Sequence, residues 1–197
     1  MTLDEKTREF IEQEKRKLDE LKLDDDNVAQ AIDSKVTNNK LKEEFRDKHI
    51  RKVILATSAS CAFLSAQPIP FADIFILTPI QIVMARKIAS QYGFSLGEIS
   101  PTQFVKEIGG LIGMGWIAQQ TVLGGYKFIP GFGSALAIPT VFALTYGIGS
   151  VVDRFYRAKS EGKVLTKEEA KKIFKMGKDF GKQEAKKEEI KTLWQKK

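Results

Sequence analysis

The 197-residue chain has very few of the side chains that carry chemistry. Cys61 is its one cysteine, so no intramolecular disulfide can close and a thiolate metal site has no ligand set to draw on. His49 is its one histidine, in a charged stretch with no serine or cysteine placed to use it. Its surroundings read as surface, and those of Cys61 (Ala, Ser and Phe) as core. β-Hairpin signals are missing. The opening MTLDEKTREFIEQEKRK has no apolar run, so no secretory leader is expected. The glycine clusters GGLIGMG (109–115) and GFGS (131–134) fit neither the phosphate-loop pattern nor the dinucleotide fingerprint, and no strand precedes them. They read as packing glycines. No acid–base pair, activated nucleophile or metal set is visible, so the expectation is a non-enzyme with no cofactor.

Charge is what the middle of the chain lacks. Between Lys52 and Asp153 only Asp73, Arg86, Lys87, Glu98, Lys106, Glu107 and Lys127 interrupt an apolar block. Residues 1–52 hold 13 Lys/Arg against 14 Asp/Glu, and residues 153–197 hold 15 against 8. The basic excess of the chain, net +7, therefore sits in its C-terminal tail. Such asymmetry points to an acidic partner surface or, more blandly, to a solvated lysine-rich helix.

What is present reads as helix throughout, so the expected fold class is an all-α helical bundle. Three parts are expected: a charged helical arm (1–52), an apolar helical domain (53–158) and a basic amphipathic C-terminal helix (159–197). In the arm, thin apolar stripes over 2–22 and 28–52 suit packing against something else. From Val53 a helix rich in small residues runs to the stop at Pro68 and Pro70. Asp73 can cap a helix running to Tyr92, with a kink at Pro79 and Gly93 as its C-cap. Ser100, Pro101 and Gln103 predict a helix from Thr102 towards Leu123. The next helix is expected from Ser134, through Pro139, to about Arg157. Thr166 with Glu169 forms a capping box that opens the last helix. On it Ala170, Ile173, Phe174, Gly177, Phe180 and Gly181 share one face, and lysines cover the rest. A faint repeat at an offset of 60 pairs Pro70 and Pro79 with Pro130 and Pro139, but apolar proline-containing helices resemble one another in any case.

Two stretches of nineteen residues, 108–126 and 134–152, carry no charge. As helices each would span ~28 Å, close to the ~30 Å of a hydrocarbon core. Gln119, Gln120 and the many glycines weaken that reading, and a compact bundle could bury both. The candidate membrane or partner contacts are the isolated polar residues and Trp116 of the apolar block, namely Asp73, Arg86, Lys87, Trp116 and Lys127, together with Lys171, Lys172, Lys175, Lys178 and Lys182 of the tail. Helix capping is the simpler role for Asp73. Nucleic acid is disfavoured as a partner, because Phe174 and Phe180 fall on the apolar face of their helix.

The segments PIPFAD (68–73), TPIQIVMARKIASQYG (78–93) and IPGFGSALAIPTVFALTYGIG (129–149) resemble the bacterial family called domain of unknown function 697. That family occurs alone or attached to Era-like GTPases and is similar to the membrane-associated YcjF-like proteins. The resemblance covers about 50–160, roughly half the chain, and departs from the family pattern at Phe71, where glycine is favoured. It implies association with a membrane and a GTPase as partner, and it supplies no catalytic residues. The leading expectation is thus a helical protein on the cytoplasmic side of a bacterial inner membrane, peripheral or integral. Its partners would be an anionic bilayer, a GTPase or another protein. The alternative is a soluble all-α interaction or oligomerisation module with the apolar block as its core.

Overall fold

A computed structural model describes Arg16 and residues 39–65, 72–94, 104–113 and 133–187. Among the described residues every regular element is helical, as the sequence predicts. Helix α1 is Asn39–Ser65 and α2 is Ala72–Ser90. A π-helical turn, Val105–Gly109, runs straight into α3, Gly110–Ile112. Helix α4 is Gly133–Ser160 and α5 is Lys167–Glu184.

Helix α4 lies at the centre and touches α1, α2, α5 and the π-helical turn. Its contacts give the directions of its neighbours. Asp47 meets Arg157 and Ile54 meets Gly149, so α1 runs antiparallel to it. Gln81 meets Thr145 and Tyr92 meets Asp153, so α2 runs parallel to it. Gly177 lies against Gly147 and Gly181 against Ala143, so α5 is antiparallel. Residues 141–149, 151 and 152 of α4 are buried all round the helix. A helix that is apolar on every side must be covered on every side.

Each neighbour offers α4 a face with a 3.6-residue repeat. On α1 the buried residues Ile50, Val53, Ile54, Thr57, Ser58, Cys61, Ala62 and Ser65 follow one another at intervals of three and one, which keeps them on one face, with Leu64 buried beside them. The second half of this face is made of small side chains. Thr57 and Ser58 are fully buried, and neither hydroxyl has a hydrogen-bond partner among the described residues. Size, not polarity, accounts for their presence. A buried unsatisfied hydroxyl costs about 1–3 kcal/mol.

Glycine sets the distance between α4 and α5. A Cβ at Gly177 would lie 3.0 Å from the Gly147 Cα, and one at Gly181 would lie 2.9 Å from the Ala143 Cα. Each helix thus presents small residues four apart to the other, 143 and 147 against 177 and 181, and the backbones meet. Gly149 does the same towards the other side, where an added Cβ would stand 2.8 Å from Ile54 and 3.1 Å from the Met84 sulfur.

Hydrogen-bonded closures mark three of the helix ends. At the end of α2 the Phe94 amide donates to the Ala89 carbonyl and the Gly93 amide to Ser90, with Gly93 at φ 80°. At the end of α4 the Lys163 amide donates to Ala158 and the Gly162 amide to Lys159, with Gly162 at φ 68°. Both are Schellman closures, which place a left-handed residue just past the helix. At the start of α5 the Thr166 hydroxyl accepts from the Glu169 amide at 3.2 Å, while the Glu169 carboxylate accepts from the Thr166 amide at 3.0 Å. This is the capping box that the sequence predicts.

Other boundaries differ from expectation. Helix α1 runs unbroken across residues 52 and 53, because the change there is one of composition and the backbone can extend the helix through it. Helix α2 starts at Ala72, so Asp73 stands in its first turn and not at its cap. Helix α4 continues to Ser160, three residues past Arg157. The largest correction concerns the helix expected to reach Leu123. It ends at Ile112, where Gly113 turns to φ 96° and ψ 164°. The uncharged stretch 108–126 is therefore not one helix. Among the described residues no helix is long and apolar enough to cross a membrane, α4 with the stretch 134–152 included. The helix expected over 2–22, the stop at Pro68 and Pro70 and the start at Ser100 lie outside the described residues.

Gly177→Val should overpack the α4–α5 contact and lower stability by about 1–3 kcal/mol in urea melts. Gly110→Ala, at a helical position with open space around it, should be neutral or stabilising by up to about 1 kcal/mol. The pair Thr57→Val and Ser58→Ala should leave the melting temperature unchanged or raise it; a marked drop would show that these hydroxyls have partners.

Candidate functional site

Helix α5 buries Ala170, Phe174, Gly177, Gly181 and Glu184 and presents its remaining arc to solvent. Along one edge of that arc stand Lys167, Lys171, Lys175, Lys178 and Lys182, spaced four, four, three and four residues apart. At 3.6 residues per turn this spacing places them within about 80° of arc, in a row ~22 Å long. The acidic residues Glu168, Glu169 and Asp179 fall outside that arc, as does Lys172. Asp179 still reaches the row's end, 3.7 Å from the Lys182 ammonium, in an exposed pair of little energetic weight.

Four of the five lysines are exposed. Lys178 is half-buried, with its stem against α4, where a Cβ at Gly147 would lie 3.0 Å from its Cγ. Its ammonium sits 5.5 Å from the centroid of the Phe174 ring. Burial lowers its proton affinity, and the neighbouring Lys182 charge lowers it further. Like charges three and four apart cost a helix about 0.2–0.5 kcal/mol per pair, and the row contains four such pairs in succession. An anion laid along the row would offset that cost.

The end of α3 borders the same row. A Cβ at Gly113 would lie 3.5 Å from Lys171 Cε. The chain thus leaves the described part beside the lysines, and residues 114–126 that follow carry no charge.

The other expected contact residues are placed differently. Lys87 is only 6% exposed and is packed inside the bundle, so it is not an outward contact. Arg86 is half-buried, and its Nε has no hydrogen-bond partner among the described residues. Asp73 is seventeen residues before the end of α2, whose last residue is Ser90, well away in sequence from any lysine of the row. Trp116 and Lys127 lie outside the described residues. Lys172 is exposed on α5 but off the row. Cys61 is fully buried, as expected, whereas His49 is half-buried on α1. Among the described residues no three of His, Cys, Asp and Glu come together as a metal site would need.

Two polar clusters were not legible in the sequence, because their members are far apart along it. In the first, the Tyr92 hydroxyl donates to Asp153 at 2.5 Å and accepts from Arg157 Nε at 3.1 Å. Arg157 also donates to Asp47 at 2.5 Å, and the Arg46 guanidinium lies 4.8 Å from the Tyr92 ring centroid. Burial raises the affinity of both Tyr92 and Asp153 for their protons, against the opposing pull of Arg157. The cluster ties α1, the end of α2 and α4 together. It is a structural clamp. In the second, the buried Glu184 carboxylate receives Arg51 at 3.4 Å and Lys187 at 2.6 Å, and Arg51 lies over Phe180. This ties the end of α5 to α1.

The sign of the Asp153 effect follows from its raised proton affinity. The folded state holds that proton more tightly than the unfolded chain does. Stability from this group therefore rises as pH falls through the folded value and is lost as pH rises again. Relative to Asp153→Asn, which has no proton to titrate there, the parent protein should gain stability between about pH 7 and pH 4 in denaturant melts. A relative loss on acidification would mean that Arg157 holds the carboxylate ionised.

Comparison of this chain with known family models, with characterised proteins and with solved structures finds no match.

Proposed function

We propose that this chain is a non-enzymatic helical protein that attaches peripherally to an anionic membrane surface through the lysine face of α5. The observation that carries this reading is the row of five lysines, unmixed with acids, on a helix whose apolar side is already occupied. Such a helix has its apolar side covered and one edge of its outer surface lined by charge of a single sign. Lysines held near an anionic leaflet gain about 1 kcal/mol each, and salt weakens the attraction.

A second reading is favoured by a different observation. Residues 141–149 of α4 are all buried, so this part of the apolar block is the core of the bundle. That suits a protein-interaction module whose partner-binding surface lies elsewhere. A GTPase as that partner rests on the family resemblance alone.

Vesicle binding separates the two readings. The full chain should sediment with vesicles rich in phosphatidylglycerol at about 50 mM salt, stay in solution with phosphatidylcholine vesicles, and be released as salt approaches 0.5 M. Equal recovery from both kinds of vesicle, or none from either, sinks the membrane reading. High-salt extraction of cell membranes should release the protein without detergent.

A further inference from the structure

We infer that Lys167, Lys171, Lys175, Lys178 and Lys182 form a linear comb for phospholipid phosphates, which lays α5 flat on the bilayer with this edge facing the head groups. This deepens the membrane-attachment reading and rests on it. It adds which lysines bind, in what geometry, and which class of anion they take.

Three features support the geometry. The row is straight, because a spacing of four, four, three and four keeps it parallel to the helix axis. A straight row ~22 Å long matches a plane of phosphates. The row is also fixed in orientation, since the adjoining side of α5 is locked to α4 by the close approaches at Gly177 and Gly181. Docking the row therefore orients the whole bundle and not one free helix. Finally, α3 ends at Gly113 beside Lys171, so a second element packs against α5 along the row.

The chemistry favours lipid over nucleic acid. The row holds lysine and no arginine. Ammonium groups on flexible stems suit a fluid array of phosphates, whereas guanidinium forks suit fixed bidentate sites. Stacking on bases needs exposed rings. Phe174 is buried, and Phe180 is half-buried beneath Arg51 and against Tyr146. The α5 surface thus offers charge without a stacking platform.

The test compares two variants of equal charge in the full chain. Lys171→Gln with Lys175→Gln removes the middle of the row. Lys172→Gln with Lys48→Gln removes two exposed lysines off the row, one on each of two helices. Partitioning onto phosphatidylglycerol vesicles is read at fixed low salt, with circular dichroism and a thermal melt to verify folding. The row variant should partition about thirty-fold less, as two lysines at ~1 kcal/mol each imply, and the control should change less than about three-fold. The double Lys→Arg replacement at 171 and 175 should retain binding. Equal losses in the two Gln variants would overturn the comb while leaving membrane attachment standing. No vesicle binding by the parent chain would overturn both. Tighter, row-dependent binding to a DNA or RNA oligonucleotide than to vesicles at the same salt would overturn the choice of lipid.

Discussion

Covering α4 on every side is the constraint on which the rest of the molecule depends. Its buried run from Val141 to Val152 includes Phe142, Leu144, Ile148 and Val151, none more than 1% exposed. Burial of side chains of this size is worth about 1.5–3 kcal/mol apiece. One neighbour cannot cover a helix that is apolar all round, so α1, α2 and α5 must all reach it. The small residues on those helices, and on α4 itself, are what let them approach. Gly149 admits α1 and α2, and Gly147 with Ala143 admits α5.

The polar clusters make sense against this frame. An apolar contact between helices does not by itself fix their axial register, since several registers bury similar area. The Tyr92, Asp153, Arg157 and Asp47 clamp gives α1, α2 and α4 a register through directed hydrogen bonds. Glu184 does the same between α1 and α5 through Arg51. Buried charged groups are costly when left unpaired, and each of these has a partner from another helix. The stability of the pairs is secondary to the single arrangement they select.

Satisfying α4 internally also determines how the protein meets its surroundings. With the described apolar faces turned inward, the large hydrophobic residues exposed among them are Phe45, Val164 and Met176, scattered singly. Isolated apolar residues of this kind are ordinary on a protein surface. What distinguishes the outside is charge, and the lysine row of α5 is its most ordered instance. Its like-charged neighbours stand on a rigid support, so an opposing anion meets a preorganised array with little further ordering to do.

Sequence alone determined the elements whose causes are local. The capping box of Thr166 and Glu169, the left-handed Gly93 and the period of α5 each depend on residues within one or two turns, so spacing reveals them. The all-α class follows from the same periodicities. The lysine spacing, too, was present in the sequence, but which side of α5 faces water depends on α4. Tertiary structure alone decided the rest. Lys87 reads, with Arg86, as an isolated pair of cations in an apolar run and proves buried, and Asp153 reads as the edge of a charged tail and proves to be a half-buried hydrogen-bond acceptor for Tyr92. The stretch 108–126 reads as a span, whereas Gly113 ends its helix. In each case the outcome depends on a residue sixty or more positions away, or on a glycine whose backbone could turn or continue. Hydrophobicity along the chain says that a segment must be buried; only the packing says whether protein or lipid buries it.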